Sequence, residues 1–74
     1  MDEIKLVHMA NQIGAFFESM PDRQQALSDI AGHLKKFWDP RMRRELLQYV
    51  DVQGGTELSG VLQETVRMHR TSIL

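Results

Sequence analysis

Three histidines are the side chains in this 74-residue sequence best suited to bind a metal ion or to transfer a proton. They are His8, His33 and His69, and no two of them have the short helical spacing that places two ligands side by side. The sequence contains no Cys, which excludes a Cys-bound zinc ion, a Cys-bound iron–sulfur cluster and a thiol nucleophile. We therefore expect no metal site, with His33 as a hydrogen-bonded packing residue and His8 facing solvent or an interface.

The other groups that take part in catalysis are scattered along the sequence. Ser59-Gly60 lacks the pattern of a nucleophile elbow, and Gly54-Gly55 alone does not form a phosphate-binding loop. The carboxylates have spacings typical of a helix surface and do not indicate an acid–base pair. We predict no catalytic residue, no cofactor-binding residue and no cofactor in this chain, so that it is not itself an enzyme.

A basic stretch that contains aromatic residues is the strongest candidate for a functional surface. Residues 30–50 contain five Lys or Arg against two acids, whereas residues 1–29 contain five acids against two bases. Aromatic side chains and Arg dominate many protein interfaces, and clustered Arg side chains bind acidic surfaces or phosphate groups. The predicted partner interface consists of Phe37, Trp38, Asp39, Pro40, Arg41, Arg43 and Arg44. Two simpler interpretations stay open: a solvated helix face, and a Trp38 that only fills the corner between two helices.

Four helices and no strands are predicted to position these residues. Apolar residues at helical spacing predict a first helix from Glu3 to Ser19, with a buried face of Leu6, Met9, Ile13, Phe16 and Met20. Ile4 and Val7 fall outside that face. Gly14, in mid-helix, is either a point of close backbone approach or a tolerated defect.

The second helix follows Pro21, with Asp22 as its cap and Ser19 as a competing cap, and ends near Phe37. Its expected buried face is Leu27, Ile30, Leu34 and Phe37. The short connection predicts that helices one and two form an antiparallel hairpin.

Asp39-Pro40 marks the start of a third helix, which runs from Pro40 to Val52 and ends before Gly54-Gly55. Ser59 is the expected cap of a fourth helix that reaches about His69, followed by a frayed tail over residues 70–74. Met42, Leu46 and Val50 are expected to face inward, with Leu47 and Tyr49 at the edges. The predicted fold is therefore all-α: a small bundle of three to four short helices in a single domain, 1–74.

Size and composition restrict the classes of protein to which this chain can belong. A mass of 8.6 kDa and a net charge of -1 indicate one small domain and argue against general electrostatic binding of nucleic acid. No run of apolar residues is long enough to cross a membrane, and the acidic start of the sequence does not resemble a signal peptide. We therefore expect a cytoplasmic protein. Because a core this small stabilises a fold only modestly, a partner is expected.

Two stretches of the sequence together resemble a known family. They are residues 5–13 with Phe16-Phe17, and residues 33–43, which contain the run Phe-Trp-Asp-Pro-Arg-Met-Arg. With Gly54-Gly55 and Leu58 after them, they resemble the delta subunit of NAD-dependent, molybdenum-containing formate dehydrogenases, over the chain up to about Val66. Gly60 departs from the family pattern, which has Pro at the start of the last helix.

The resemblance implies a small, cofactor-free accessory chain of a soluble bacterial complex. In such complexes the alpha subunit carries a molybdopterin cofactor and iron–sulfur clusters, and other subunits pass electrons to NAD through FMN. The implied role is to dock on a larger subunit, the molybdenum-containing alpha subunit first, and to support assembly, cofactor retention or stability. No nucleic-acid or membrane partner is implied.

Two alternative functions stay open at the level of the sequence. The chain could be a self-associating module, a homodimer formed through Ile4 and Val7 of helix one. It could also bind nucleic acid through the helix-turn-helix-like corner at Asp39-Pro40, although its net charge opposes this.

Overall fold

The structure, a computed structural model, describes residues 2–74 and shows four α-helices in that range. They are α1 (Glu3–Glu18), α2 (Arg23–Phe37), α3 (Pro40–Gln53) and α4 (Gly60–Ile73), and no strand occurs among the described residues. The predicted all-α fold is therefore confirmed. The antiparallel orientation of the first two helices stays a prediction.

The starts of α1, α2 and α3 are set by aspartates, because a side-chain oxygen can accept a hydrogen bond from an N–H group of the first turn. Asp22 Oδ1 accepts from the Gln25 N–H at 3.1 Å, so Asp22 caps α2, while Ser19 ends α1. Asp39 Oδ1 accepts from the Met42 N–H at 2.9 Å, and Pro40 occupies the first helical position. These local signals placed the starts of α2 and α3 correctly from the sequence.

Two glycines end α3, as predicted. Gly54 has a φ of 84° and Gly55 a φ of 64°, in the left-handed region that favours glycine. The Gly54 N–H donates to the Val50 carbonyl oxygen at 2.9 Å. The glycine pair therefore turns the chain sharply toward α4.

The core lies where the four helices meet, and α2 and α4 share the most extensive contact. Its largest fully buried side chains are Leu6, Leu27, Ile30, Leu34, Leu46, Val61, Leu62, Thr65 and Ile73. Gly14 of α1 lies directly against α4, because an added Cβ atom would lie 2.3 Å from Leu62 Cδ2. This distance supports the interpretation of Gly14 as a point of close approach between two helices.

The buried face of α1 differs from the predicted one. Phe16, expected in the core, is 75% exposed, and Val7, expected outside it, is only 6% exposed. The physical reason is that α4 comes close to α1 at Gly14, on the side of α1 that also carries the buried Ala10. The helix is therefore rotated so that Phe16 faces solvent.

The buried face of α3 is also wider than predicted. Leu47 and Tyr49, expected at the edges, are both buried, while Met42 and Val50 are partly buried. The Tyr49 hydroxyl accepts a hydrogen bond from the Glu57 N–H at 3.1 Å. Tyr49 is thus buried and also holds the loop between α3 and α4 through its hydroxyl group.

The fourth helix is longer than predicted. Its expected end near His69 is a local non-helical residue (φ -121°, ψ 26°), after which the helix continues to Ile73. Residues 70–73, assigned to a frayed tail from the sequence, lie in this helix, and Ile73 is fully buried. Ser59 has the predicted cap position, but its hydroxyl makes no capping hydrogen bond.

Candidate partner interface at the corner between α2 and α3

The α2–α3 corner, residues 37–44, contains all seven residues that the sequence assigned to a partner interface. Only Trp38 and Asp39 separate α2 from α3. Trp38 is 6% exposed and belongs to the hydrophobic core, and its backbone N–H donates to the Leu34 carbonyl oxygen at 3.0 Å. Trp38 therefore fills the corner between the two helices.

Arg43 is buried as well and binds the end of α2. Its Nη1 donates to the carbonyl oxygens of Lys35, at 2.6 Å, and of Trp38, at 3.2 Å. These oxygens belong to the last turn and C-cap of α2, where the helix dipole favours a positive charge. A side chain from the first turn of α3 thus stabilises the last turn of α2.

The sequence assigns Trp38 and Arg43 to the partner interface, and in this structure both side chains are buried. Arg43 is 8% exposed, and its guanidinium is committed to backbone oxygens of its own chain. Both residues support the corner instead of extending from it. Sequence reasoning could not separate Arg43 from its neighbours, because the carbonyl groups that it binds belong to a different helix.

The other five residues of the predicted partner interface are exposed. Phe37 is 66% exposed, and Asp39, Pro40, Arg41 and Arg44 also lie at the surface. The Arg41 side chain is 82% exposed, with Nε 3.5 Å from Glu45 Oε1. An ion pair this exposed contributes little to stability. The corner therefore presents an aromatic ring and two guanidinium groups on a support formed by buried residues.

Beside the corner, α1 and α2 enclose an aromatic groove that the sequence did not predict. It has a volume of about 430 Å³ and is lined mainly by Met9, Ile13, Phe16, Phe17, His33 and Phe37, with Trp38 also contributing. The sequence assigned Phe16 and Phe37 to the core, which concealed the groove. One available signal was the adjacent pair Phe16-Phe17, because neighbours on a helix cannot both point in one direction.

The rings of the groove contact one another. Phe16 and Phe17 are 5.0 Å apart between centroids in an edge-to-face arrangement, and His33 and Phe37 are 4.7 Å apart. Lys36 Nζ lies 5.6 Å from the Phe37 ring centroid, within cation–π range. His33 packs between Phe17 and Phe37, and no hydrogen bond of its side chain is found in the described structure.

Residues 2–74 contain no group of three or more His, Asp or Glu side chains that could hold a metal ion. None of the helices in this range is both long and apolar enough to cross a membrane. His8 is exposed on α1, and His69 lies at the non-helical position of α4.

Comparison with known protein families identifies the family of this chain, which the geometry alone does not show. A sequence model of the FdsD family, described as the NADH-dependent formate dehydrogenase delta subunit, matches residues 5–66. The chain belongs to this family. The match covers the α2–α3 corner and the groove of this delta-subunit family member, and ends within α4. No curated protein sequence and no solved structure matches the chain.

Proposed function

We propose that this chain is a non-catalytic accessory subunit of a formate dehydrogenase complex and that it docks on a larger subunit of that complex. The observation that carries the proposal is the family match over residues 5–66. The exposed aromatic and basic side chains of the α2–α3 corner support a docking role, since such residues are enriched at interfaces.

The proposed partner is the molybdenum-containing alpha subunit, in the cytoplasm. In this proposal the molybdopterin cofactor, the iron–sulfur clusters and FMN all lie in the larger subunits, and the small chain supports assembly, cofactor retention or stability. The absence of Cys from the sequence agrees with this division, because iron–sulfur clusters are held mainly by Cys thiolates.

The proposed contact at the corner uses three exposed side chains. Phe37 supplies the apolar centre, and Arg41 and Arg44 face an acidic region of the larger subunit. Trp38 and Arg43 hold the backbone that carries them. A charged pair that loses water on docking contributes strongly to the lifetime of a complex, whereas a pair at the rim acts mainly on the association rate.

Co-purification from cells that produce the complex tests the proposal. A tagged form of this chain should recover the molybdenum-containing subunit at near-equal stoichiometry. Removal of the chain should lower the molybdenum content of the complex if the role is cofactor retention, or the yield of assembled complex if the role is assembly. Recovery of this chain alone, or only with copies of itself, would overturn the accessory-subunit function.

Charge reversal tests the corner itself. Arg41→Glu together with Arg44→Glu should lower recovery of the larger subunit about tenfold or more, because both charges become repulsive toward an acidic face. Arg67→Glu serves as the control, because Arg67 is also exposed but lies on α4. Unchanged recovery of the double variant would contradict the assignment of this surface.

The homodimer alternative loses half of its expected interface. Val7 is 6% exposed and part of the core, whereas Ile4 is 72% exposed. Sedimentation of the isolated chain at micromolar concentration should therefore show a monomer, and a stable dimer would restore this alternative.

A further inference from the structure

We propose that the aromatic groove between α1 and α2 binds an amphipathic helix from a larger subunit. This helix is apolar on one side and carries Asp or Glu at the edge of that side. This inference rests on the proposed accessory function and assigns to it a second surface, continuous with the α2–α3 corner through Phe37. The chemistry of the lining and of its margins specifies the occupant.

The groove is apolar and incompletely covered. Phe16 and Phe37 stand on its two sides and are 75% and 66% exposed, so water contacts most of both rings. Large exposed aromatic rings at a concave site are a common feature of protein interfaces. A groove between two helices accepts a third helix, which inserts side chains at intervals of three and four residues.

The charges around the groove favour an acidic occupant. No acidic residue lines it, and Lys36 holds its ammonium group 5.6 Å from the Phe37 ring centroid at one margin. On α1, the exposed Lys5 lies one turn before the lining residue Met9. Asp29 lies one turn before His33 on α2, but it does not line the groove and accepts a hydrogen bond from Gln25 Nε2 at 2.8 Å.

The same charges disfavour a second copy of this chain as the occupant. In a twofold pair each groove meets the same groove of the other copy. The two Lys36 side chains would then approach one apolar region, where like charges repel more strongly than in water. A segment with carboxylates at its margin pairs with Lys36 instead.

Site-specific photo-crosslinking in the intact complex tests the inference. A benzoylphenylalanine placed at position 16 or 37 should crosslink to the same segment of one larger subunit, and that segment should carry Asp or Glu beside apolar residues. The matched control position is Val52, which is 73% exposed on α3 and does not line the groove. The variants Phe16→Ser and Lys36→Glu should each weaken recovery of the larger subunit by about tenfold, with Val52→Ser unchanged.

The outcomes separate the groove from the function on which it rests. If the complex assembles with this chain but crosslinks form only at position 52, the groove proposal is overturned and the accessory function stands. Crosslinks from positions 16 and 37 to a second copy, or to a segment without acidic residues, also overturn the groove proposal. If no larger subunit is recovered with the unmodified chain, the accessory function itself fails.

Discussion

Gly14 determines how closely α1 approaches α4. An added Cβ atom would lie 2.3 Å from Leu62 Cδ2 and 2.9 Å from Val61 Cγ1, distances that no ordinary packing permits. Gly14→Ala should therefore lower the free energy of unfolding by about 1–3 kcal/mol, because the buried side chains of Leu62 and Val61 must shift or the two helices must move apart. Urea unfolding followed by circular dichroism measures this change.

Gly32 provides the matched control for this prediction. It lies on the exposed side of α2, and an added Cβ atom would meet nothing within 4 Å. Gly32→Ala should raise the free energy of unfolding by up to about 1 kcal/mol, since Ala is the better helix former. If both substitutions stabilise the protein, the close approach of α1 and α4 is wrong.

Arg43 gives a second prediction at the residue scale. Arg43→Ala leaves two carbonyl oxygens of the α2 end without their donor, and should cost about 1.5–3 kcal/mol in the free energy of unfolding. Arg44→Ala, one position along but exposed, should change it by less than about 0.5 kcal/mol. Equal effects of the two substitutions would show that Arg43 does not support the corner.

The residue scale also shows where sequence reasoning fails. Phe37 and Trp38 are adjacent aromatic residues, and the sequence alone does not show which of them fills the corner between α2 and α3. The structure buries Trp38 and exposes Phe37, because α2 ends at Phe37 and the extended backbone of Trp38 turns its ring inward. Spacing rules apply within a helix and do not extend past its end.

At the scale of elements, Asp39 fixes where α3 begins. Its Oδ1 accepts the Met42 N–H at 2.9 Å, and this bond is lost in Asp39→Ala. The expected cost is about 1 kcal/mol in the free energy of unfolding, whereas Asp39→Asn should be nearly neutral, because Asn caps helices as well as Asp. Thermal unfolding of both variants measures the difference, and a large loss in Asp39→Asn would indicate a role for the charge instead of the cap.

Helix boundaries were predictable where a single residue sets them. Asp22, Asp39 with Pro40, and Gly54 act through their own backbone and side-chain geometry, so the sequence was sufficient. The end of α4 was not predictable, because no Gly or Pro follows His69 and the helix is extended by the burial of Ile73 in the core. That burial depends on the other three helices and leaves no local signal.

At the scale of the whole molecule, acidic residues predominate in residues 1–29 and basic residues in residues 30–50. We expect the basic residues to attract an acidic surface of the larger subunit. Exposed Arg side chains attract an acidic surface less strongly as salt screens them, with a Debye length of about 10 Å at 0.1 M. Recovery of the larger subunit should therefore fall as salt is raised, while the helical circular dichroism of this chain stays constant. Recovery that does not change with salt would indicate docking by apolar contacts alone.

The support that Arg43 gives to the corner has a consequence for the thermodynamics of association. Because Arg43 ties the last turn of α2 to the first turn of α3, the backbone beneath Phe37 and Arg41 is fixed before any partner arrives. A segment that is ordered in advance loses little conformational entropy on binding, and such preorganisation strengthens a complex without adding a contact. Loosening the corner should therefore weaken docking through a less favourable binding entropy, even though Arg43 itself is buried.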